Sequence, residues 1–186
     1  MKRYFRYIKE LFRYNYINPG AKLGKNVRID HFVVIDDNVE IGDNTWIGNW
    51  VHIRPGSRIG HNSEIRDWCY ISTDVQIGNH TKVCQKANIG GYIKIGNGCF
   101  LAPGLSTSNT KNIKHNRKIK DYVIDIPIIE DNVRIGTNVT ILPGVVLGKD
   151  SYIGGGAVVT KSTDPYGVYI GNPAKKIKEV LPEERV

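Results

Sequence analysis

Residues 33–78 read VVIDDNVEIGDNTWIGNWVHIRPGSRIGHNSEIRDWCYISTDVQIG, and in them an isoleucine returns every six positions, from Ile35 to Ile77. The register extends outward to Leu23 and Ile29 on one side and to Val83, Ile89, Ile95 and Leu101 on the other. Four residues after most anchors comes a small or β-branched side chain, as at Val39, Thr45, Ser57, Ser63, Cys69, Val75, Thr81 and Ala87. Turn formers follow the anchors, as in Gly42, Asp43 and Asn44, Pro55 and Gly56, or Pro103 and Gly104. Such residues tolerate the dihedrals of a tight corner. A period of six with two inward side chains cannot lie on a helix of period 3.6. Each repeat therefore reads as a short strand plus a turn. Three repeats close a triangular coil, and stacked coils pair as parallel strands about 4.8 Å apart.

The register breaks after Leu101 and resumes at Ile129, Ile135, Ile141, Leu147, Ile153 and Val159. The gap is not a multiple of six, so residues 105–127 are expected to be an inserted loop. Twenty anchors predict about 6–7 coils, a prism roughly 30 Å tall. Its open ends need covers, because unpaired strand edges invite association. Tyr4, Ile8 and Leu11 lie at helical spacing among Lys2, Arg6, Lys9 and Arg13. They predict a capping helix within residues 1–20, with a basic membrane-surface helix as the alternative. The array proper is expected over 21–161, and a tail with a short helix over 162–186.

The chain has 186 residues, 40% of them hydrophobic and 24% charged, which fits one repeat array with short caps. No apolar run approaches the length of a membrane span. The N-terminus lacks the apolar core of a secretion signal. Three cysteines, an odd number, point to free thiols in a reducing compartment, so a cytoplasmic protein is expected. A net charge of +8 favours an anionic partner, with solubility as the plainer reading. The basic residues are scattered and match no nucleic-acid module, so nucleic acid is not expected as a partner.

The repeat, and above all residues 127–176 (PIIEDNVRIGTNVTILPGVVLGKDSYIGGGAVVTKSTDPYGVYIGNPAKK), resembles the hexapeptide-repeat acyltransferases. The resemblance is strongest to sugar acetyltransferases of surface-polysaccharide and nucleotide-amino-sugar pathways. It implies an all-β, left-handed parallel β-helix, a homotrimer, and transfer of an acetyl group from acetyl-CoA to a sugar amine or hydroxyl without a metal. Turns such as Gly136 with Thr137 and Gly154 with Gly155 would line the pantetheine arm. Many relatives carry alanine where this chain has Thr137 and Gly155. Lys161, Lys175 and Lys176 would meet the phosphates, or else form a solvated basic tail.

Such a transfer needs a group to take a proton and donors for the developing oxyanion. Of five histidines, His31, His61 and His80 fall at turns, and His52 is expected on an outward flat face. His115 lies in the insertion, where the resembling enzymes often place a general base, and is the candidate catalytic residue; an exposed loop residue is the plainer reading. Other relatives use no histidine and hold a sugar amine with polar side chains. Gln85, expected beneath the loop root, with Asn88, Ser108 and Asn109, would be that substrate-binding set. A zinc-dependent anhydrase would need a closer pair of histidines than this chain has. A non-catalytic scaffold or interaction subunit remains the alternative.

Overall fold

A computed structural model of the chain describes residues 14–112, 115, 118 and 122–185. Twenty-two two-residue strands run from Tyr16–Ile17 to Val158–Val159 and stack into three parallel sheets. The first face carries eight strands, at Tyr16–Ile17, Val34–Ile35, His52–Ile53, Tyr70–Ile71, Asn88–Ile89, Ser106–Thr107, Thr140–Ile141 and Val158–Val159. The second face runs from Lys22–Leu23 to Val146–Leu147, and the third from Arg28–Ile29 to Tyr152–Ile153 before a terminal hairpin. This is a parallel β-solenoid in keeping with the left-handed β-helix. Among the described residues it begins one strand earlier than expected, at Tyr16–Ile17, and holds seven three-sided coils plus one strand.

The anchors fill the interior: Ile35, Ile47, Ile53, Ile65, Ile71, Ile89, Ile135 and Ile141 are all buried. The second inward slot satisfies its own polar groups. Thr45, Ser63 and Thr81 each donate a hydroxyl to a carbonyl of the coil above, at 2.8, 2.9 and 2.8 Å. Cys69 and Cys99 use their thiols in the same way, at 3.1 Å. Buried hydroxyls are tolerated here because none lacks a partner.

All corners except those after Ile17, Thr107 and Val159 turn through the left-handed region three residues after the anchor. Asn26, Asn38, Asn44, Asn62, Asp74, Asn132 and Asn138 hold φ between +54° and +58°, and Gly56, Gly98, Gly104, Gly144 and Gly156 take the same place. Asn and Gly are the residues that bear such dihedrals at least cost.

Three expectations are corrected. The loop does not begin at residue 105: Ser106–Thr107 is a regular strand paired with Asn88 and Thr140–Ile141. Asn109 still holds its corner place, and the excursion proper spans 110–124, closed by a bridge between Thr110 and Ile124. The offset between stacked residues rises there from 18 to 34, so sixteen residues are added. The helix expected over residues 1–20 lies outside the described residues for 1–13, and residues 14–20 form strand and turn. The tail is a β-hairpin rather than a helical cap: Gly167–Ile170 pairs antiparallel with Lys175–Glu179, followed by one 3-10 turn at Pro182–Glu184.

Candidate active site

The corner between the third and first faces changes character along the axis. Its left-handed positions run Phe32, Trp50, Trp68, Lys86, Gly104, Asn138 and Gly156. The positions just before them run His31, Asn49, Asp67, Gln85, Pro103, Thr137 and Gly155. In the lower coils each of these latter amides is capped by the side chain one coil up: the His31 N–H donates to Asn49 at 3.2 Å, and the Asn49 N–H to Asp67 at 2.7 Å. The capping stops above Asp67. Thr137 and Gly155 stack on one another, the Gly156 N–H reaching the Thr137 carbonyl at 2.8 Å, yet the N–H groups of Thr137 and Gly155 find no acceptor among the described residues. A Cβ on Gly156 would meet no atom within 4 Å. The upper half of this corner is thus a bare ledge with two exposed amide donors one coil apart.

The hairpin turn closes its top. Gly154 N–H donates to Tyr169 at 2.8 Å, Val158 N–H to Gly171 at 3.0 Å, and Ala174 N–H to Val158 at 2.8 Å. Lys175 follows directly, exposed and without an ion pair among the described residues. Lys176 is different, paired with Asp164 at 3.1 Å and Glu179 at 2.6 Å. Hydrogen bonds to those carboxylates hold its ammonium pKa above the ordinary lysine value. Lys161 is exposed on the corner between the first and second faces, one face away from the ledge.

The loop leaves from that other corner. Thr107 Oγ1 accepts the Gly90 N–H at 2.8 Å, and Asn109 donates its side-chain amide to the Gly91 carbonyl at 2.9 Å. Asp125 receives the returning chain: its N–H donates to Asn109 at 2.8 Å, its carbonyl accepts from Gly144 at 3.0 Å, and its carboxylate pairs with Lys111. His115 is exposed within the excursion. The residue beneath the loop root is therefore Gly91, not Gln85. Gln85 belongs to the ledge corner, where its carbonyl accepts from Gly104 at 2.9 Å. The first face spans the two corners and presents Asn88, Ser106 and Thr140 in one stacked row.

One group escaped the sequence reading. His52 on the first face is held through Nε2 by Asp36 Oδ2 at 3.0 Å, with Arg54 3.7 Å from the same carboxylate and Tyr70 edge-on at 5.7 Å. The available signal was the offset: Asp36 is the corner residue of the coil below, sixteen positions earlier. A concavity of about 720 Å³ is an open trough along the second face, where Glu40 bonds Lys22 at 2.9 Å and lies 3.3 Å from Arg58. It lies away from both corners.

The bacterial transferase hexapeptide family (six repeats) matches residues 38–73 and 126–161. These two stretches make up less than half of the chain and lie on its stacked coils. Among relatives, a probable macrolide acetyltransferase of Lysinibacillus sphaericus is 46% identical over 59 residues, 32% of this chain and 33% of that one. A 2,3,4,5-tetrahydropyridine-2,6-dicarboxylate N-acetyltransferase of Ligilactobacillus salivarius is 51% identical over 53 residues, 28% of this chain and 23% of that one. The chain thus spans at most about a third of the length of these curated relatives. Among solved structures, a mutant of AntD, an N-acyltransferase from Bacillus cereus in complex with dTDP-4-amino-4,6-dideoxyglucose and coenzyme A, superimposes with a TM-score of 0.64 at 21% identity, covering 96% of this chain and 90% of that one. The polySia-specific acetyltransferase NeuO gives 0.65 at 22% identity over 90% and 82% of the two chains. The polysialic acid O-acetyltransferase OatWY gives 0.61 at 24% over 90% and 85%. These likenesses establish the fold.

Proposed function

We propose that the protein is an acyltransferase that moves an acetyl group from acetyl-CoA to a sugar, and that it works as a homotrimer in the cytoplasm. The bare ledge carries this reading. A pantetheine arm is thin and has amide carbonyls along it, and the ledge offers two N–H donors, at Thr137 and Gly155, without an acceptor among the described residues, with only the Gly154 and Gly155 backbone over Gly136. Gly136 and Gly154 keep the adjoining turns small, and Lys175 stands where the phosphates would lie. Lys176, committed to two carboxylates, is a brace for the hairpin rather than a phosphate ligand. Lys161 is too far round the prism for the same corner.

Bound acetyl-CoA would supply an activated thioester carbonyl. His115 takes the proton of the acceptor's hydroxyl or amine as that group bonds to the carbonyl, and returns it to the departing sulfur, which leaves as the free thiol. Asn88 and Ser108, with Asn109 at the loop root, hold the acceptor across the first face, and Gln85 meets it at the ledge. In one chain the loop and the ledge stand at opposite edges of that face. A trimer would set one subunit's loop against a neighbour's ledge and make the cleft. The relatives named as acetyltransferases and the structural likeness to AntD, NeuO and OatWY support the same reading.

The Asp36–His52 pair favours a second assignment of the base, because a carboxylate on one ring nitrogen orients an imidazole for proton transfer from the other. Thiol release from acetyl-CoA, measured against a panel of nucleotide-amino-sugars and saccharides, tests both. His115→Ala should cut turnover by roughly 10²–10⁴, the usual worth of a positioned base, with coenzyme A affinity unchanged. A comparable loss in His52→Ala with His115→Ala fully active would move the base to the first face. No thiol release with any acceptor would leave a scaffold subunit as the better reading.

A further inference from the structure

The lower half of the ledge corner carries the feature that acetyl transfer alone does not use. Phe32, Trp50 and Trp68 occupy successive coils at φ of +58°, +59° and +57°. At other corners this place belongs mostly to Asn, Asp or Gly, the residues that fit it without strain. Large aromatic rings held in a strained conformation point to a role that offsets the cost. The rings are also open: Trp50 is 52% and Trp68 56% exposed, and Phe32 stacks on Trp50 at 4.1 Å with only 12° between planes. Trp46, by contrast, is held by its neighbours, with Arg28 and Arg66 over its ring and Asp30 accepting its indole N–H at 2.7 Å.

We propose that this aromatic track docks a saccharide chain and leads its end up to the ledge, so that the acceptor is a polymer of several sugars rather than one nucleotide-linked sugar. The proposal rests on the acetyl-transfer reading above and names its acceptor class. A pyranose presents a C–H face that packs on an aromatic ring and a rim of hydroxyls that needs hydrogen-bond partners. The track offers both: beside the rings stand His31, Asn49 and Asp67, and beyond them on the first face His52 and Tyr70. Coils repeat about every 4.8 Å, close to the length of one hexose unit. From Trp50 to the level of Gln85, which meets the acceptor, is two coil steps, roughly 10 Å. A single sugar at the ledge could not touch Trp50; a chain of several units could.

The variant Trp50→Asn/Trp68→Asn removes the platform while placing at each corner the residue that the fold prefers there, so folding is preserved. The probes are a printed array of neutral and acidic bacterial surface glycans, then calorimetric titration with the bound hexasaccharide and its monosaccharide, without coenzyme A. The wild type should bind the hexamer at least about tenfold more tightly than the monomer, and the variant should lose about tenfold or more, each indole face contributing on the scale of an aromatic contact. The variant's melting temperature should equal or exceed the wild type's. No glycan bound above background, or equal binding by the variant, overturns the track. A variant that fails to trimerise, with no glycan binding by the wild type, makes this corner a subunit contact and overturns it as well. Glycan binding that survives while no acceptor yields free thiol would instead overturn the acetyl-transfer reading alone.

Discussion

Thr107 fills a slot that Ile or Val fills at every other level of the first face, and this single exchange hid a strand from the hexad register. Its hydroxyl is there because the coil below turns through Gly90 and Gly91 and needs an acceptor for the Gly90 N–H, which lies 2.8 Å away. Thr107→Val keeps the shape and leaves that amide without a partner, so stability should fall by about 1–3 kcal/mol in a urea titration, with Thr107→Ser close to wild type. The loop root should loosen with it. The thiols make a second prediction. Burial pushes Cys69 up to about 12 and Cys99 up to about 11, from an ordinary 9.0. The folded state therefore keeps protons that the unfolded chain releases. Their contribution is complete below pH 9 and is lost as pH rises through 11 to 12. Melting temperature should fall steadily above pH 9, and less steeply in Cys69→Ala/Cys99→Ala. Equal slopes in the two proteins would remove the thiols from the alkaline limit.

The faces were legible because each strand repeats one instruction, an inward aliphatic at a fixed interval, and the errors fall where a different instruction takes over. The excursion was placed early because Thr107 is not aliphatic. A root at residue 105 sets Gln85 beneath it, one corner too soon, whereas the observed root at Asn109 stands on Gly91. The terminal hairpin left little trace in the sequence: Lys175–Glu179 is exposed throughout and has no inward side to pattern. What fixes it is pairing, with Gly167–Ile170 below and Val158 beside the turn. That element separates two lysines the sequence treats alike. Lys175→Glu should weaken coenzyme A binding by about 1–3 kcal/mol in calorimetry, the scale of a charge-assisted hydrogen bond, without altering the fold. Lys176→Glu would set a carboxylate against Asp164 and Glu179, and should lower the melting temperature instead. The opposite pattern would exchange their roles.

At the scale of the whole molecule the question is whether one chain holds a complete site. The loop that carries His115 departs from the corner between the first and second faces, and the ledge of Thr137 and Gly155 lies on the corner between the third and first. A rigid prism cannot bring its own corners together, so a site that uses both needs either a loop lying across the first face or a second chain. Mixing experiments separate the two. His115→Ala removes the base and keeps the ledge; Gly155→Trp fills the ledge and keeps the loop. Each variant alone should be inactive in thiol release. If loop and ledge come from neighbours around a three-fold axis, unfolding and refolding the two in equal amounts creates sites that pair an intact loop with an intact ledge. Random assembly makes these about a quarter of all sites, so activity should return to about a quarter of wild type. If both come from one chain, every site keeps one defect and the mixture stays inactive. A monomer in sedimentation at micromolar concentration, with full wild-type activity, would likewise end the shared-site reading.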